Sequence, residues 1–221
     1  MKILAFDTST KYLSIACFED KNCVVQFHKD IGIQHSNLLI PTIESLLKQI
    51  KWDIKQINLL CVGIGPGSFT GLRIGIAVAK ALTFIVKNNI VTVPTMDAMV
   101  YNYTLKDSFI APLLDARKGK VYVCVYKKNK QNIIRITDYL LIEIEQFLKT
   151  LDKEVFFFGD AITKYKTALD NCKFAKYDET FSFYPKAKYI ALKGLEKSKN
   201  HLDDYKKIVP LYLHSKECNI L

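Results

Sequence analysis

The segment GIGPGSFTGL, residues 63–72, has three glycines within five positions followed by hydroxyl side chains, a composition that resembles a phosphate-binding loop. A Walker loop requires G-x-x-x-x-G-K-[ST], and no lysine stands at the required position. The dinucleotide fingerprint G-x-G-x-x-G also fails, because Thr70 occupies the place of the third glycine. A nucleophile elbow at Ser68 would need a glycine at position 70 as well. The loop therefore predicts neither a nucleotide cradle nor a protease, and Ser68 and Thr70 are expected to cap the following helix.

A second candidate site combines a carboxylate with two hydroxyls. Asp7, Thr8 and Ser9 follow the apolar run KILAF, and such groups can hold a metal-bound triphosphate at a strand turn. Asp115, in LLDARKG, is the corresponding acidic residue in the second half of the chain. The alternative is that these side chains only satisfy the amides of their own turns. We favour that interpretation, in which the four residues are a vestigial phosphate site.

Hydrophobic periodicity predicts the elements that carry these residues. In the first half, strands are expected at 2–6, 12–19, 23–28, 58–64 and 90–93, with helices at 36–50 and 71–86. In the second half, strands are expected at 109–116, 120–126, 132–139 and 154–160, with helices near 143–150, 161–169 and 186–199. The pattern is α/β. We predict an N-terminal lobe of residues 1–105 and a smaller C-terminal lobe of residues 106–221, whose last segment can return to the first lobe.

Composition describes an ordinary globular protein, with 49% hydrophobic and 24% charged residues in 221. The net charge of +10 would suit a nucleic-acid partner, but only three of the 32 basic residues are arginine. We interpret the basic stretch KAKYIALKGLEKSK as a solvated helix face rather than a tRNA-binding patch. The sequence has no apolar run of about 20 residues and no secretory signal at its start, which predicts a cytoplasmic protein without membrane contact.

The potential metal ligands are scattered. The six cysteines include no C-x-x-C pair, and His28, His35, His201 and His214 have no ligand spacing. The sequence therefore predicts no metal site and no intrinsic cofactor.

Five segments together resemble one known family. ILAFDTST, QHSNLLIP, GIGPGSFTGLRIGIAVAKAL, PLLDARKGKVY and VPLYL occur in the order and spacing of the bacterial TsaB (YeaZ) family. The resemblance runs from residue 2 to about 213. It implies a two-lobed actin-like ATPase fold, of the ASKHA and ribonuclease H-like type. It also implies a role in forming threonylcarbamoyladenosine at position 37 of tRNAs that read codons beginning with A.

The same resemblance implies a non-catalytic scaffold subunit that forms a heterodimer with its paralogue TsaD, together with the ATPase TsaE. ATP and Mg²⁺ would be used through these partners, tRNA would be met through the complex, and a homodimer is possible without TsaD. Catalytic relatives bind a metal through two histidines four residues apart, whereas here His35 is followed by Leu39. The alternative function is an ATP-binding enzyme of the actin-like kinase or carbamoyltransferase class.

A stripe of small residues indicates where a partner would bind. Gly71, Gly75 and Ala79 recur every four residues, and a glycine inside a helix costs about 1 kcal/mol relative to alanine. Small residues let another helix approach closely, either from the same lobe or from a partner. We expect both kinds of contact. The predicted partner interface comprises Leu39, Ile43, Leu46, Gly71, Ile74, Gly75, Val78, Ala79 and Leu82.

Overall fold

The computed structural model describes residues 1–103, 108–129, 132–178 and 184–213. The strands are β1 (Lys2–Asp7), β2 (Tyr12–Glu19), β3 (Asn22–Asp30), β4 (Leu59–Gly63), β5 (Asn89–Val93), β6 (Ser108–Asp115), β7 (Lys120–Val123), β8 (Tyr126–Asn129), β9 (Asn132–Arg135), β10 (Leu140–Glu143), β11 (Val155–Phe158) and β12 (Ala175–Tyr177). The helices are α1 (His35–Gln49), α2 (Phe69–Val86), α3 (Thr95–Met99), α4 (Ile144–Lys149), α5 (Lys166–Asp170) and α6 (Ala187–Ser198). Short 3₁₀ turns occur at Ile54–Gln56 and Val100–Asn102.

The chain divides into two compact units. The first contains Met1–Ala98 and Pro185–Leu211, and the second contains Met99–Tyr184 and the residues from Tyr212 onward. The boundary therefore lies before the predicted position near residue 105. Helix α6 follows the second half in sequence but packs on the sheet of the first unit, so the last segment does return to the first unit, the possibility that the sequence left open.

The first unit is built on a five-stranded sheet in the order β3-β2-β1-β4-β5. Strands β1, β2 and β3 pair antiparallel through tight turns, whereas β4 and β5 run parallel to β1. Parallel neighbours need crossover connections, which α1 and α2 provide. Strand β4 is buried along its whole length, as its unbroken apolar sequence predicts, and β3 forms a largely exposed edge.

Helices cover both faces of this sheet. The face that carries Leu4, Phe6 and Ile15 packs against α1 and α2. The opposite face, with Ala5 and Ala16, packs against α6. Residues at alternate positions of one strand point to opposite faces, so β1 and β2 contribute to both cores.

The second unit repeats this arrangement. Its sheet has the order β10-β7-β6-β11-β12, with β10, β7 and β6 antiparallel and with β11 and β12 parallel to β6. Helix α4 and helix α5 cover one face of the sheet. The second half therefore does repeat the first, as its sequence pattern indicates.

Local differences from the predicted elements are concentrated in the second unit. The predicted strand 120–126 is divided into β7 and β8, which pair with different parts of β6. The helix expected at 161–169 is a turn followed by the five-residue α5, and β10 and β12 were not predicted. Short elements of three to five residues contain too few positions for a periodic pattern to identify them.

The segment after α6 fastens the last part of the first unit to the edge strand β5. The Asp203 N–H donates to the Ile90 carbonyl at 2.9 Å, and the Asp203 carboxylate accepts from the Thr92 N–H at 2.7 Å and from its hydroxyl at 3.0 Å. Lys197 Nζ lies 3.2 Å from the same carboxylate oxygen. Ile208 then packs in the core beneath α2. The segment thus covers a sheet edge that would otherwise be open.

We predict that Asp203→Asn lowers the free energy of unfolding by about 1–2 kcal/mol at pH 7, because it weakens a partly buried, charge-assisted set of hydrogen bonds. Partial burial raises the pKa of Asp203, but the bonds from Thr92 and the Lys197 charge outweigh it and hold the pKa below its usual value. The stabilisation is therefore present above about pH 4 and is lost as the pH falls through the lowered pKa. Urea denaturation at several pH values should show the difference between the two proteins shrinking in acid. Asp204→Asn, at the exposed neighbouring position, should change stability little.

Candidate functional site

Asp7 lies at the end of β1, and both oxygens of its buried carboxyl group accept hydrogen bonds. One oxygen accepts from the Ser9 N–H at 2.9 Å and from the Ser9 hydroxyl at 2.6 Å. The other accepts from the Thr95 hydroxyl at 2.8 Å. Burial raises the pKa of Asp7, and the hydrogen bonds from Ser9 and Thr95 oppose that rise. Both oxygens are thus used by the chain's own groups, the arrangement that the turn-satisfying hypothesis predicts.

The glycine loop packs directly on this turn. A Cβ atom at Gly63 would overlap the Asp7 carboxylate, and one at Gly67 would overlap the Ser9 carbonyl. The Ser68 N–H donates to that carbonyl at 2.6 Å. The glycines are therefore needed for close approach of two backbone segments, and the space beside the turn is filled by the protein itself.

The beginning of α2 continues the same contact. The Thr8 hydroxyl donates to the Gly71 carbonyl at 2.8 Å, and Cβ atoms at Gly71 and Gly75 would overlap the Thr8 carbonyl and hydroxyl. The Ser68 side chain accepts from the Gly71 N–H at 3.2 Å, which confirms its predicted capping role. Thr70, by contrast, lies within the first turn of the helix.

The small-residue stripe therefore faces inward. The prediction of a partner interface is wrong for Leu39, Ile43, Leu46, Gly71, Gly75 and Ala79, all of which are buried within the first unit. The physical reason is that the small residues let α2 approach the β1–β2 turn. Ile74, Val78 and Leu82 are only partly buried, and their place in an interface stays a prediction.

The outward face of α1 and α2 is nevertheless apolar. We define the α1–α2 face as the exposed residues Ile40, Phe69, Ala77, Ala81, Phe84 and Ile85. Phe84 is 57% exposed and Ile85 is 69% exposed. Sequence reasoning missed these positions. One signal was available in the sequence. A helix with a single buried face normally has a polar outer face, but α2 is apolar around most of its circumference and only Arg73 and Lys80 are charged.

In the described part of the chain, α2 is also the one helix long and apolar enough to cross a membrane by length and composition. One such helix is a weak indication, since the core helix of a globular protein passes the same test. A cytoplasmic location stays a prediction.

Asp115 ends β6 in the second unit, where it is held by neighbours of that unit. Lys164 Nζ lies 2.8 Å from both carboxylate oxygens, and the Arg117 N–H donates to one of them at 2.9 Å. Partial burial opposes ionisation, but these contacts lower the pKa of Asp115. Gly159 follows β11 with φ of +131° and lies against the Leu113 carbonyl. Close backbone packing accounts for this glycine.

The histidines are dispersed. His35 is buried at the start of α1 with Nε2 3.4 Å from the Tyr12 carbonyl, as expected of a helix-entry residue bonded to backbone. His201 pairs with Asp203, and His214 lies outside the described residues. Among the described residues, no three His, Cys, Asp or Glu side chains are grouped as metal ligands. The absence of a metal or intrinsic cofactor stays a prediction.

Comparison with known proteins places the chain among tRNA-modification proteins. Residues 28–220 match the family described as TsaD: tRNA N6-adenosine threonylcarbamoyltransferase. The chain is 29% identical to the tRNA threonylcarbamoyladenosine biosynthesis protein TsaB of Bacillus subtilis, over 98% of this chain and 96% of the relative. It is 33% identical to the TsaB protein of Escherichia coli, over 60% of this chain and 58% of the relative. YeaZ from Pseudomonas aeruginosa superimposes with a TM-score of 0.81 at 23% identity, over 96% of this chain and 99% of that one.

The duplicated α/β units define a protein of the actin-like, ASKHA-type fold class. The chain belongs to the TsaB (YeaZ) family, within the wider TsaD family, and takes part in tRNA threonylcarbamoyladenosine biosynthesis. The predicted fold class and family are thereby confirmed.

Proposed function

We propose that this chain is a non-catalytic subunit that binds its catalytic paralogue, a TsaD protein, through the α1–α2 face. The observation that carries the proposal is the apolar surface left exposed on α2, a helix of 18 residues with only one third of its residues buried. Exposed apolar surface of this kind marks protein–protein contact. In the isolated chain the same face would support a homodimer.

The Asp7 turn supports the non-catalytic part of the proposal. Catalysis of phosphoryl or carbamoyl transfer at this turn would need a carboxylate free to meet a metal or substrate. Here Ser9, Thr95 and the glycine loop surround the carboxylate. ATP and Mg²⁺ are accordingly assigned to the partners TsaD and TsaE, and tRNA to the assembled complex.

Reconstitution tests this function. The chain should form a 1:1 complex with the TsaD protein of the same organism in size-exclusion chromatography. With unmodified tRNA, ATP and a threonylcarbamoyl donor supplied, formation of threonylcarbamoyladenosine by purified TsaD and TsaE should require the chain. Equal formation of threonylcarbamoyladenosine without the chain would refute the proposal that the chain is a required scaffold. Turnover of Mg-ATP by the isolated chain would favour the alternative function, an ATP-binding enzyme.

Asp7→Asn separates the structural role of this residue from a catalytic one. We expect a loss of about 1–2 kcal/mol in the free energy of unfolding, because an amide has a single acceptor oxygen and cannot accept hydrogen bonds from both Ser9 and the Thr95 hydroxyl, as the carboxylate does. Complex formation and threonylcarbamoyladenosine yield should stay within about twofold of the unmodified protein, since a loss of that size leaves a protein of ordinary stability folded. Denaturation and an activity assay on the same preparation measure both quantities. Loss of activity in a fully assembled complex would assign Asp7 to catalysis, and Thr95→Ser, which keeps the hydroxyl, serves as the control.

A further inference from the structure

The cations of α2 form a row along its outward side. Arg73, Lys80 and Lys87 recur every seven residues, and seven residues are close to two turns of a helix. The three residues therefore lie on one side of α2, the side that also carries the exposed Ala77 and Phe84. We define the α2 cationic row as Arg73, Lys80 and Lys87. The row runs through the α1–α2 face and does not lie at its margin.

Aromatic rings hold the two ends of the row on this face. The Arg73 guanidinium lies 3.8 Å from the centroid of the Phe69 ring, and Lys87 Nζ lies 4.3 Å from the centroid of the Phe84 ring. Phe69 is 54% exposed and Phe84 is 57% exposed. A cation above an aromatic ring is attracted by the negative face of the ring. The two exposed cations are therefore kept beside the apolar side chains that a partner would cover.

The acidic residues of α1 and α2 do not balance the row. Helix α2 contains no Asp or Glu. On α1, Glu44 and Lys48 are both exposed, and their charges cancel. Lys80 Nζ donates at 3.1 Å to a backbone carbonyl of the segment after α6, which is a neutral acceptor. Asp204 of that segment lies 3.9 Å from Lys207. The α1–α2 face thus has a net positive charge as well as an apolar surface.

We propose that the α2 cationic row selects the partner, and that the partner's docking surface is a helix with acidic side chains at matching intervals of seven residues. The inference rests on the proposed function, in which this face binds a TsaD protein, and it adds the chemistry of the surface that the face recognises. Helices that pack side by side can pair opposite charges placed at intervals of seven residues. A second copy of this chain would instead oppose like charges, so the row favours a partner of opposite charge.

The apolar residues among the cations favour a protein over RNA as this partner. Ala77 and Ala81 lie between Arg73 and Lys87 and are exposed, and Ile85 is 69% exposed. A phosphate backbone would neutralise the cations but would leave these apolar side chains without cover. A helix with both apolar and acidic side chains would cover both. The small alanine side chains also let such a helix approach closely.

Calorimetry of the chain with the TsaD protein of the same organism, at several salt concentrations, tests the row. Arg73→Gln with Lys87→Gln should bind about tenfold more weakly at low salt, and the loss should shrink as salt rises, because salt screens charges. A loss of packing alone would not depend on salt. Lys193→Gln with Lys199→Gln is the matched control, because it removes the same charge from α6, on the opposite face of the sheet, and should bind normally.

The outcomes separate this inference from the proposed function. Equal affinity of the Arg73/Lys87 variant and the unmodified chain at every salt concentration would overturn the acidic partner, as would a loss that is the same at every salt concentration. If Ala77→Glu with Ala81→Glu still abolished binding, the proposed TsaD-binding face would stand, and if it did not, both proposals would fail. Salt-sensitive tRNA binding by the isolated chain, lost in the Arg73/Lys87 variant while TsaD binding is unchanged, would assign the row to RNA and overturn the inference.

Carbodiimide coupling of the complex identifies the acidic residues. The reagent joins a lysine amine to a carboxylate in direct contact with it, so a chain carrying Arg73→Lys should give products at positions 73 and 87 that mass spectrometry can locate. These positions are two heptads apart, about 21 Å at 1.5 Å per residue. The coupled carboxylates of the partner should lie at the same separation on one helix. Coupling confined to lysines outside the α2 cationic row would overturn the proposal.

Discussion

A chain carrying Ala77→Glu and Ala81→Glu is expected to fold normally and to lose binding to its TsaD partner by about 100-fold or more. Both alanines are exposed on α2, so the substitutions neither fill nor empty the core. In a complex, the α1–α2 face would bury two carboxylates without partners. Breaking or omitting the partner of a buried charge costs several kcal/mol, and each 1.4 kcal/mol corresponds to a factor of about ten in affinity.

Calorimetry with purified TsaD would measure this loss, and thermal denaturation of the variant alone would verify that it is folded. Ala77→Ser with Ala81→Ser is the matched control, because serine changes the size little and adds no charge. Threonylcarbamoyladenosine formation should fall in parallel with binding at fixed protein concentrations. Unchanged affinity in the glutamate variant would show that the partner binds another surface.

Gly75→Leu is expected to prevent folding, or to lower the free energy of unfolding by about 3 kcal/mol or more. Gly75 lies against the Thr8 side chain, and even a Cβ atom there would overlap the Thr8 hydroxyl. A leucine would overpack this contact and displace a buried hydrogen bond to the Gly71 carbonyl. The gain in helix propensity, about 1 kcal/mol, is too small to offset these losses.

The matched control is Ala77→Leu, which adds a leucine to the exposed side of the same helix and should leave stability nearly unchanged. A double-mutant cycle sharpens the test. Gly75→Ala should be destabilising alone and much less so in combination with Thr8→Ala, which removes the overlapping hydroxyl. A stable Gly75→Leu protein that fails only to bind TsaD would instead support the interpretation that the stripe faces a partner.

The sequence by itself determined the fold class and most of the first unit. The apolar runs of β1, β2 and β4 and the spacing of Leu39, Ile43, Leu46 and Leu47 on α1 are long enough for their period to be read directly. The sequence alone also showed that the glycine loop does not match known phosphate-binding motifs, because such motifs require particular residues at fixed spacings. The second unit was less clear, since β10, β12 and α5 are too short for a period to emerge.

Tertiary structure decided which face of each helix is buried and where α6 belongs. Gly71 and Gly75 are equally compatible with a partner helix and with the chain's own turn, and only the position of Thr8, more than 60 residues earlier, distinguishes the two. Helix α6 follows the second unit in sequence, yet Ile190 and Ala191 are buried against the first sheet. A local sequence pattern indicates that a side chain is buried, but the residues against which it packs come from distant parts of the chain.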